Sequence, residues 1–227
     1  MVIAAASTPS LQGDLPLTVA TGNGAGAAVV IMPSAFGVAD DLRAQMEELT
    51  ADARLVVSFD PFFRDDPGVV SYGDMGRIFT RLGALDRERA YADLQAALAW
   101  TRSKAPGPLV VVGVCFGGLY AMRAAADGLV DGACTWHGTR LDAVLDRVGA
   151  VRCPLRLHFG SADPLTPPPL VEQLREALAH HGDARITVHE GATHGFTHPD
   201  AEAYDPAAER AAVASVRELA MRAVTMR

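Results

Sequence analysis

The stretch Leu109-Val-Val-Val-Gly-Val-Cys-Phe-Gly-Gly118 decides how this chain is read. Residues 109–113 are a short branched-apolar run, the mark of a strand buried on both faces. The LYAMRAAAD that follows Gly118 has helical patterning. Between strand and helix stands Gly113-x-Cys115-x-Gly117, the nucleophile-elbow pattern with cysteine where serine is usual. A chain that turns this sharply needs small residues two positions either side of the nucleophile. It holds that nucleophile at a helix N-terminus, where the dipole favours a thiolate and free backbone N–H groups can meet an oxyanion. A lone cysteine would be read as a core residue. Strand, paired glycines and helix in register make Cys115 a nucleophile instead.

Outward from the elbow, short apolar runs at 27–32, 55–59, 132–136, 155–159 and 186–189 predict further strands. Helical patterns fall at 39–52, 87–102, 118–127, 168–180 and 207–222. Asp205 is placed to cap the last helix, with Pro206 as its first residue. This alternation predicts an α/β fold: one domain over 1–227, with a mostly parallel central sheet and helices on both faces. Residues 15–20 are read as an edge strand joined to 27–32 by a hairpin turn at 21–26. Gly22, Gly24 and Gly26 resemble a phosphate-binding loop, but that loop must run into a helix and this one runs into a strand. Residues 60–86, with Pro61, Pro67, Gly68 and Gly73, are read as an irregular insertion that lines or covers a site.

An elbow calls for an acid and then a histidine, each just after a later strand. Asp163 follows 155–159 in GSADP, and His194 follows 186–189 in GATHGF. Taken singly, Asp163 is an ordinary turn residue and His194 a surface loop histidine; their order behind Cys115 gives them roles. His194 takes the thiol proton and later protonates the leaving group. Asp163 orients the imidazole and supports its charged form.

With MPSAFG, FDPFF, GVCFGG, GSADPLTP, GATHGF and the C-terminal YDPAAERAAVASVRELA in view, the chain resembles the dienelactone hydrolase family of α/β-hydrolases over nearly its full length. The resemblance implies an α/β-hydrolase fold and a Cys115–Asp163–His194 triad. It also implies an oxyanion hole from the backbone N–H groups of Ala35 and Phe116. No metal and no organic cofactor are implied. Ser34 stands where well-known members carry a glutamate that couples thiol activation to substrate binding, so activation here rests more directly on His194. His198 stands where they carry an arginine for the substrate carboxylate, and Arg77 or Arg81 would supply the other. The implied substrate-contacting set is therefore Ser34, Phe36, Arg77, His137 and His198.

Composition sets the outer bounds. The chain has 227 residues, 49% hydrophobic and 21% charged, ample for a packed core and too apolar for disorder. A net charge of −7 leaves no basic excess for nucleic acid, and no run is long enough for a membrane span. The start MVIAAASTPS lacks a basic n-region, so no signal peptide is read and a cytoplasmic location is expected. The basic residues are almost all Arg, with Lys104 the sole Lys, as in GC-rich bacterial genomes. Three cysteines, Cys115, Cys134 and Cys153, make no disulfide framework, and the last two are expected to pack in or near the core. His189, His194 and His198 with Glu190 lack metal-ligand spacing. The charges of 87–102 read as a solvated helix face, and His137 as either pocket lining or packing. The expected activity is cleavage of a small ester or lactone through an acyl-cysteine, by a monomer or weak homodimer. Rival readings are a thioesterase or acyltransferase on the same triad, and a non-catalytic binding protein on a hydrolase scaffold, which the change at Ser34 favours.

Overall fold

The computed structural model describes residues 3–10 and 13–225. Strands Ile3–Ser10 (β1), Gly13–Thr21 (β2), Ala28–Met32 (β3), Leu55–Phe59 (β4), Leu109–Val114 (β5), Gly132–Trp136 (β6), Leu155–Gly160 (β7) and Ala184–His189 (β8) form one sheet. Their order is β1-β2-β4-β3-β5-β6-β7-β8. From β4 to β8 every neighbouring pair is parallel, while β1 and β2 add antiparallel at one edge. Strands β3 to β7 are buried at every residue, which explains their unbroken apolar runs: both faces are covered.

The pleat divides those side chains between two cores. Val30, Val57, Val111 and Leu157 pack with helices Arg87–Lys104 (α3), Gly117–Ala126 (α4) and Pro168–Ala177 (α6), through Leu94, Tyr120 and Leu174. Val29, Ile31, Val56, Val110 and Val112 pack on the other face, against Asp40–Leu49 (α1) and Pro206–Thr225 (α7), through Leu42, Met46, Val213 and Val216. Asp205 does cap α7, accepting from the N–H groups of Ala207 and Ala208 at 2.8 and 3.0 Å. The expected parallel sheet with helices on both faces is thus the observed one.

Three expectations are corrected. Residues 15–20 do not form an edge: β2 lies inside the sheet, between β1 and β4. Nor is 21–26 a hairpin turn to 27–32, because β4 is inserted between β2 and β3. The glycines there serve close approach. The Gly22 N–H donates to the Arg54 carbonyl at 3.2 Å and the Gly26 N–H to that of Asp52 at 2.8 Å. A Cβ on Gly24 would fall 2.0 Å from the Asp52 carbonyl oxygen. Finally, the insertion at 60–86 is not wholly irregular: it contains Met75–Ala84 (α2), capped by Asp74, whose carboxylate accepts from the Arg77 N–H at 3.0 Å. A short helical stretch at 141–148, ending in Leu145–Val148 (α5), also went unread.

Candidate active site

The site stands at the carboxyl ends of β5, β7 and β8, where open parallel sheets place their ligands. β5 ends at Val114 and α4 starts at Gly117, so Cys115 must reverse the chain almost alone. It does so with φ at +55°, a strained conformation for a residue with a side chain. Three backbone bonds hold it there. Its N–H donates to the Trp136 carbonyl, and its own carbonyl accepts from the N–H groups of Gly118 and Thr139, all at 3.0 Å. The glycines around it are steric necessities. A Cβ on Gly113 would lie 2.3 Å from the Gly117 carbonyl oxygen. One on Gly117 would lie 2.5 Å from that of Met32, and one on Gly118 2.6 Å from the Gly138 Cα.

The acid and base loops are laced together before they reach the cysteine. Ser161 N–H donates to the His189 carbonyl at 2.9 Å and Ala162 N–H to the Ala192 carbonyl at 3.0 Å. The Ser161 hydroxyl accepts from the Gly191 N–H at 2.8 Å. A side chain at Gly160 would put its Cβ 2.2 Å from the Ala192 carbonyl oxygen, so that glycine is what lets the loops close. The result joins all three expected residues. Asp163 Oδ2 lies 2.8 Å from His194 Nδ1, and His194 Nε2 lies 3.2 Å from Cys115 Sγ. The Asp163 side chain is fully buried and also accepts from the Leu165 N–H at 2.8 Å, while His194 keeps 22% exposure. Burial alone would lower the His194 pKa. The adjacent Cys115 sulfur and the Asp163 carboxylate outweigh it and push the imidazole up to about 10.

Ala35 lies in the loop after β3 and Phe116 directly follows the nucleophile. Neither backbone N–H donates to an acceptor among the described residues. The Ala35 carbonyl is gripped by Arg81 at 2.8 Å. The same buried guanidinium sits 3.9 Å over the Phe62 ring, whose centroid is 5.5 Å from that of Phe116.

The expected substrate-contacting residues scatter. Ser34 is buried, and its hydroxyl accepts from the Phe36 N–H at 3.4 Å. Phe36 packs edge-on against Tyr72 and His198, at 4.5 and 5.2 Å. His198 bonds Asp41 Oδ2 through Nδ1 at 2.7 Å, which ties its loop to α1. Burial pushes the Asp41 carboxyl up, but its bonds and charge pairing with His198 leave it lowered overall. Arg77 is turned outward, with its Nε 3.0 Å from both oxygens of Asp66. His137 is fully buried, so it packs rather than lines a pocket. Its Nε2 lies 2.9 Å from the Thr197 hydroxyl, and its ring meets that of His194 edge-on at 4.9 Å. Burial and two neighbouring imidazoles push its pKa far down, so a neutral wall backs His194. The three histidines weighed as metal ligands part company: His189 turns to His158 at 3.0 Å, His194 to Cys115 and His198 to Asp41.

A cavity of about 160 Å³ opens at Cys115, with Leu82, Leu85, Phe116, Leu119 and Leu165 supplying apolar wall. On α3 the charge that departs from a solvated face is Asp93, buried and paired with Arg64 at 2.7 Å; Arg140 lines the cavity too, and so does the exposed Arg87. The one sequence signal for it was a cation in the first turn of a helix, where cations are disfavoured. Arg140 carried no signal, since its placement follows from a left-handed turn that only the coordinates reveal.

The model of the dienelactone hydrolase family matches residues 16–223. A carboxymethylenebutenolidase of Pseudomonas putida is 28% identical over 197 residues, which is 84% of this chain and 83% of that one. Carboxymethylenebutenolidase 1 of Cupriavidus pinatubonensis is 27% identical over 200 residues, 84% of each chain. Among solved structures, a dienelactone hydrolase from Anabaena variabilis is similar with a TM-score of 0.71 at 20% identity, over 96% of both chains. A dienelactone hydrolase-like promiscuous phosphotriesterase from metagenomic libraries reaches a TM-score of 0.80, also at 20% identity and over 96% of both.

Proposed function

The chain belongs to the dienelactone hydrolase family, an ester- and lactone-cleaving family, and from that premise we propose that it hydrolyses small esters or lactones through an acyl-cysteine. The observation that carries this reading is the continuous hydrogen-bonded chain from Asp163 through His194 to the Cys115 sulfur, at 2.8 and 3.2 Å. The charged imidazole and the α4 N-terminus favour a thiolate beside them. The Cys115 sulfur forms a bond to the substrate carbonyl carbon, its proton having passed to His194 Nε2. The carbonyl π pair moves onto oxygen, where the N–H groups of Ala35 and Phe116 stabilise it. Collapse of this intermediate breaks the ester C–O bond, and His194 protonates the departing alkoxide. Water then attacks the thioester, giving a proton to His194, and the second collapse releases the carboxylic acid and the cysteine sulfur.

Ser34 supports this division of labour. Its hydroxyl is engaged with the Phe36 N–H and cannot act as a carboxylate base, so proton transfer falls to His194. The close His194–Cys115 contact argues against a scaffold that has lost thiol activation. No helix among the described residues is long and apolar enough to cross a membrane, and three free thiols suit a cytoplasmic enzyme. The test is turnover of a chromogenic short-chain ester by wild type and Cys115→Ala. Loss of about 10³-fold or more in kcat is expected. Equal turnover would sink the reading.

A further inference from the structure

Directly behind His194 lies a buried imidazole to which the acyl-cysteine chemistry gives no role. His137 follows β6 with φ at +39°, a left-handed conformation that is costly for a residue with a side chain. Its N–H donates to the His158 carbonyl at 2.9 Å. Three rings enclose its own, all edge-on: His194 at 4.9 Å, Phe196 at 5.0 Å and His198 at 5.5 Å between centroids. Its Nε2 meets the buried Thr197 hydroxyl at 2.9 Å, and its buried Nδ1 has no hydrogen-bond partner among the described residues. A polar nitrogen buried without a partner costs stability that an apolar side chain would keep. Packing alone therefore does not select a histidine here.

Thr197, which anchors this ring, is itself clamped. Its carbonyl accepts from Gln45 Nε2 of α1 at 2.8 Å, and the same nitrogen donates to Glu209 of α7 at 2.7 Å. The next residue, His198, bonds Asp41 of α1 at 2.7 Å. His137 thus stands on a frame tied to both helices of one sheet face, and it touches His194 from the side. The two nitrogens of His194 are held by Asp163 and by the Cys115 sulfur. Once that sulfur is bonded to an acyl carbon it has no proton to share, and the bond at Nε2 is lost. The Asp163 carboxylate at one end and the His137 ring at the side then hold the base.

We propose that His137 is a positioning residue for His194, and that its ring keeps Nε2 aimed at the attacking water after Cys115 has been acylated. In that step the water oxygen bonds to the thioester carbon and a water proton passes to His194 Nε2. The C–S bond then breaks and the sulfur leaves with the bonding pair. Acylation begins with the sulfur already 3.2 Å from Nε2, so it depends less on the side contact. This assignment rests on the acyl-cysteine reading and goes beyond it.

Rapid-mixing turnover of p-nitrophenyl acetate, with the acetylated fraction read by acid quench and intact-protein mass, gives acylation and deacylation rates separately. In His137→Ala deacylation should slow about tenfold or more, and acylation by less than about threefold, the scale on which a misplaced catalytic group acts. Slowed deacylation raises the acetylated fraction whereas partial unfolding lowers it, so a structural defect does not imitate the effect. His137→Phe keeps a ring without the Thr197 bond, and Thr197→Val keeps the imidazole without its anchor; both should fall between His137→Ala and wild type. The proposal is overturned if His137→Phe deacylates no faster than His137→Ala, or if the two rates fall together. Should His137→Ala fail to fold, the other two variants decide, and deacylation rates equal to wild type in both overturn it. A wild type that neither turns over the ester nor becomes acetylated removes the acyl-cysteine reading and the proposal with it. Wild-type turnover that these variants leave unaltered removes the proposal alone.

Discussion

Cys134 is fully buried in β6 and Cys153 half-buried ahead of β7, and burial pushes both thiols up to about 12. Cys115 instead has His194 Nε2 at 3.2 Å, on an imidazole pushed up to about 10. A thiol reacts through its thiolate, so iodoacetamide at pH 7 should modify Cys115 first, and the other two only after unfolding. In His194→Gln the Cys115 rate should drop about tenfold or more at pH 7, and the deficit should narrow as pH rises. Peptide mass mapping with time reads both effects; equal labelling of the three cysteines in the folded protein would refute them. That Cys115, Asp163 and His194 meet was legible because an elbow, an acid and a histidine come in a fixed order along the chain. His137 was not so legible. Nothing in Thr-Trp-His-Gly says that a left-handed turn, with φ at +39°, sends its ring behind His194 rather than into a pocket.

At the scale of elements, α2 is the part that sequence reading missed and that the site depends on. It is short, and the proline- and glycine-rich stretch around it masks an amphipathic pattern that buries Ile78 and Arg81 while leaving Met75 and Phe79 exposed. β1 escaped for a related reason. Its Ala, Ser and Thr residues bury little, and pairing with β2, rather than a hydrophobic period, makes it a strand. The central strands were readable because burial on both faces writes itself as uninterrupted Val, Ile and Leu. What α2 contributes is Arg81. Its fully buried guanidinium donates to the carbonyls of Ala35 and Gly68 at 2.8 and 3.2 Å and covers Phe62. One side chain thus supports the segment carrying one proposed oxyanion donor directly, and the other through the Phe62–Phe116 contact. An oxyanion donor is worth about 10²–10³ in kcat, so Arg81→Met should lower kcat about tenfold or more with a smaller change in KM. The assay belongs well below the variant's unfolding temperature. A kcat equal to wild type there would show that Arg81 only holds the loop together.

At the scale of the whole molecule, imidazoles oppose each other in pH: His137, His158 and His189 are pushed down and His194 is pushed up. His158, between His189 and Ser215 at 3.0 and 2.9 Å, is pushed down to about 3, chiefly by burial and further by His189 and Arg156. The unfolded chain protonates this residue below about pH 6.5 and the folded chain does not, so acid favours unfolding across the interval between. His194 has the reverse sign. Its raised pKa adds stability that is complete below about pH 6.5 and lost as pH climbs toward about 10. Stability should therefore peak near pH ~6.5 and fall on both sides. From pH 6.5 to 5, His158 alone should withdraw about 2 kcal/mol, at 1.36 kcal/mol per pKa unit. Urea unfolding of wild type and His158→Asn at the two pH values measures it, and an equal acid loss in both proteins would discard His158 as the cause.

The hydrogen-bonded chain at the site also has a temporal meaning. Asp163 and His194 are 31 residues apart, and His194 lies 79 residues after Cys115. A ribosome therefore releases the cysteine well before the imidazole that activates it. Until β8 docks on β7 and the two loops lace, Cys115 has no imidazole within reach to take its proton. A copy terminated before residue 194 therefore carries the cysteine without the imidazole that lies against it in the fold.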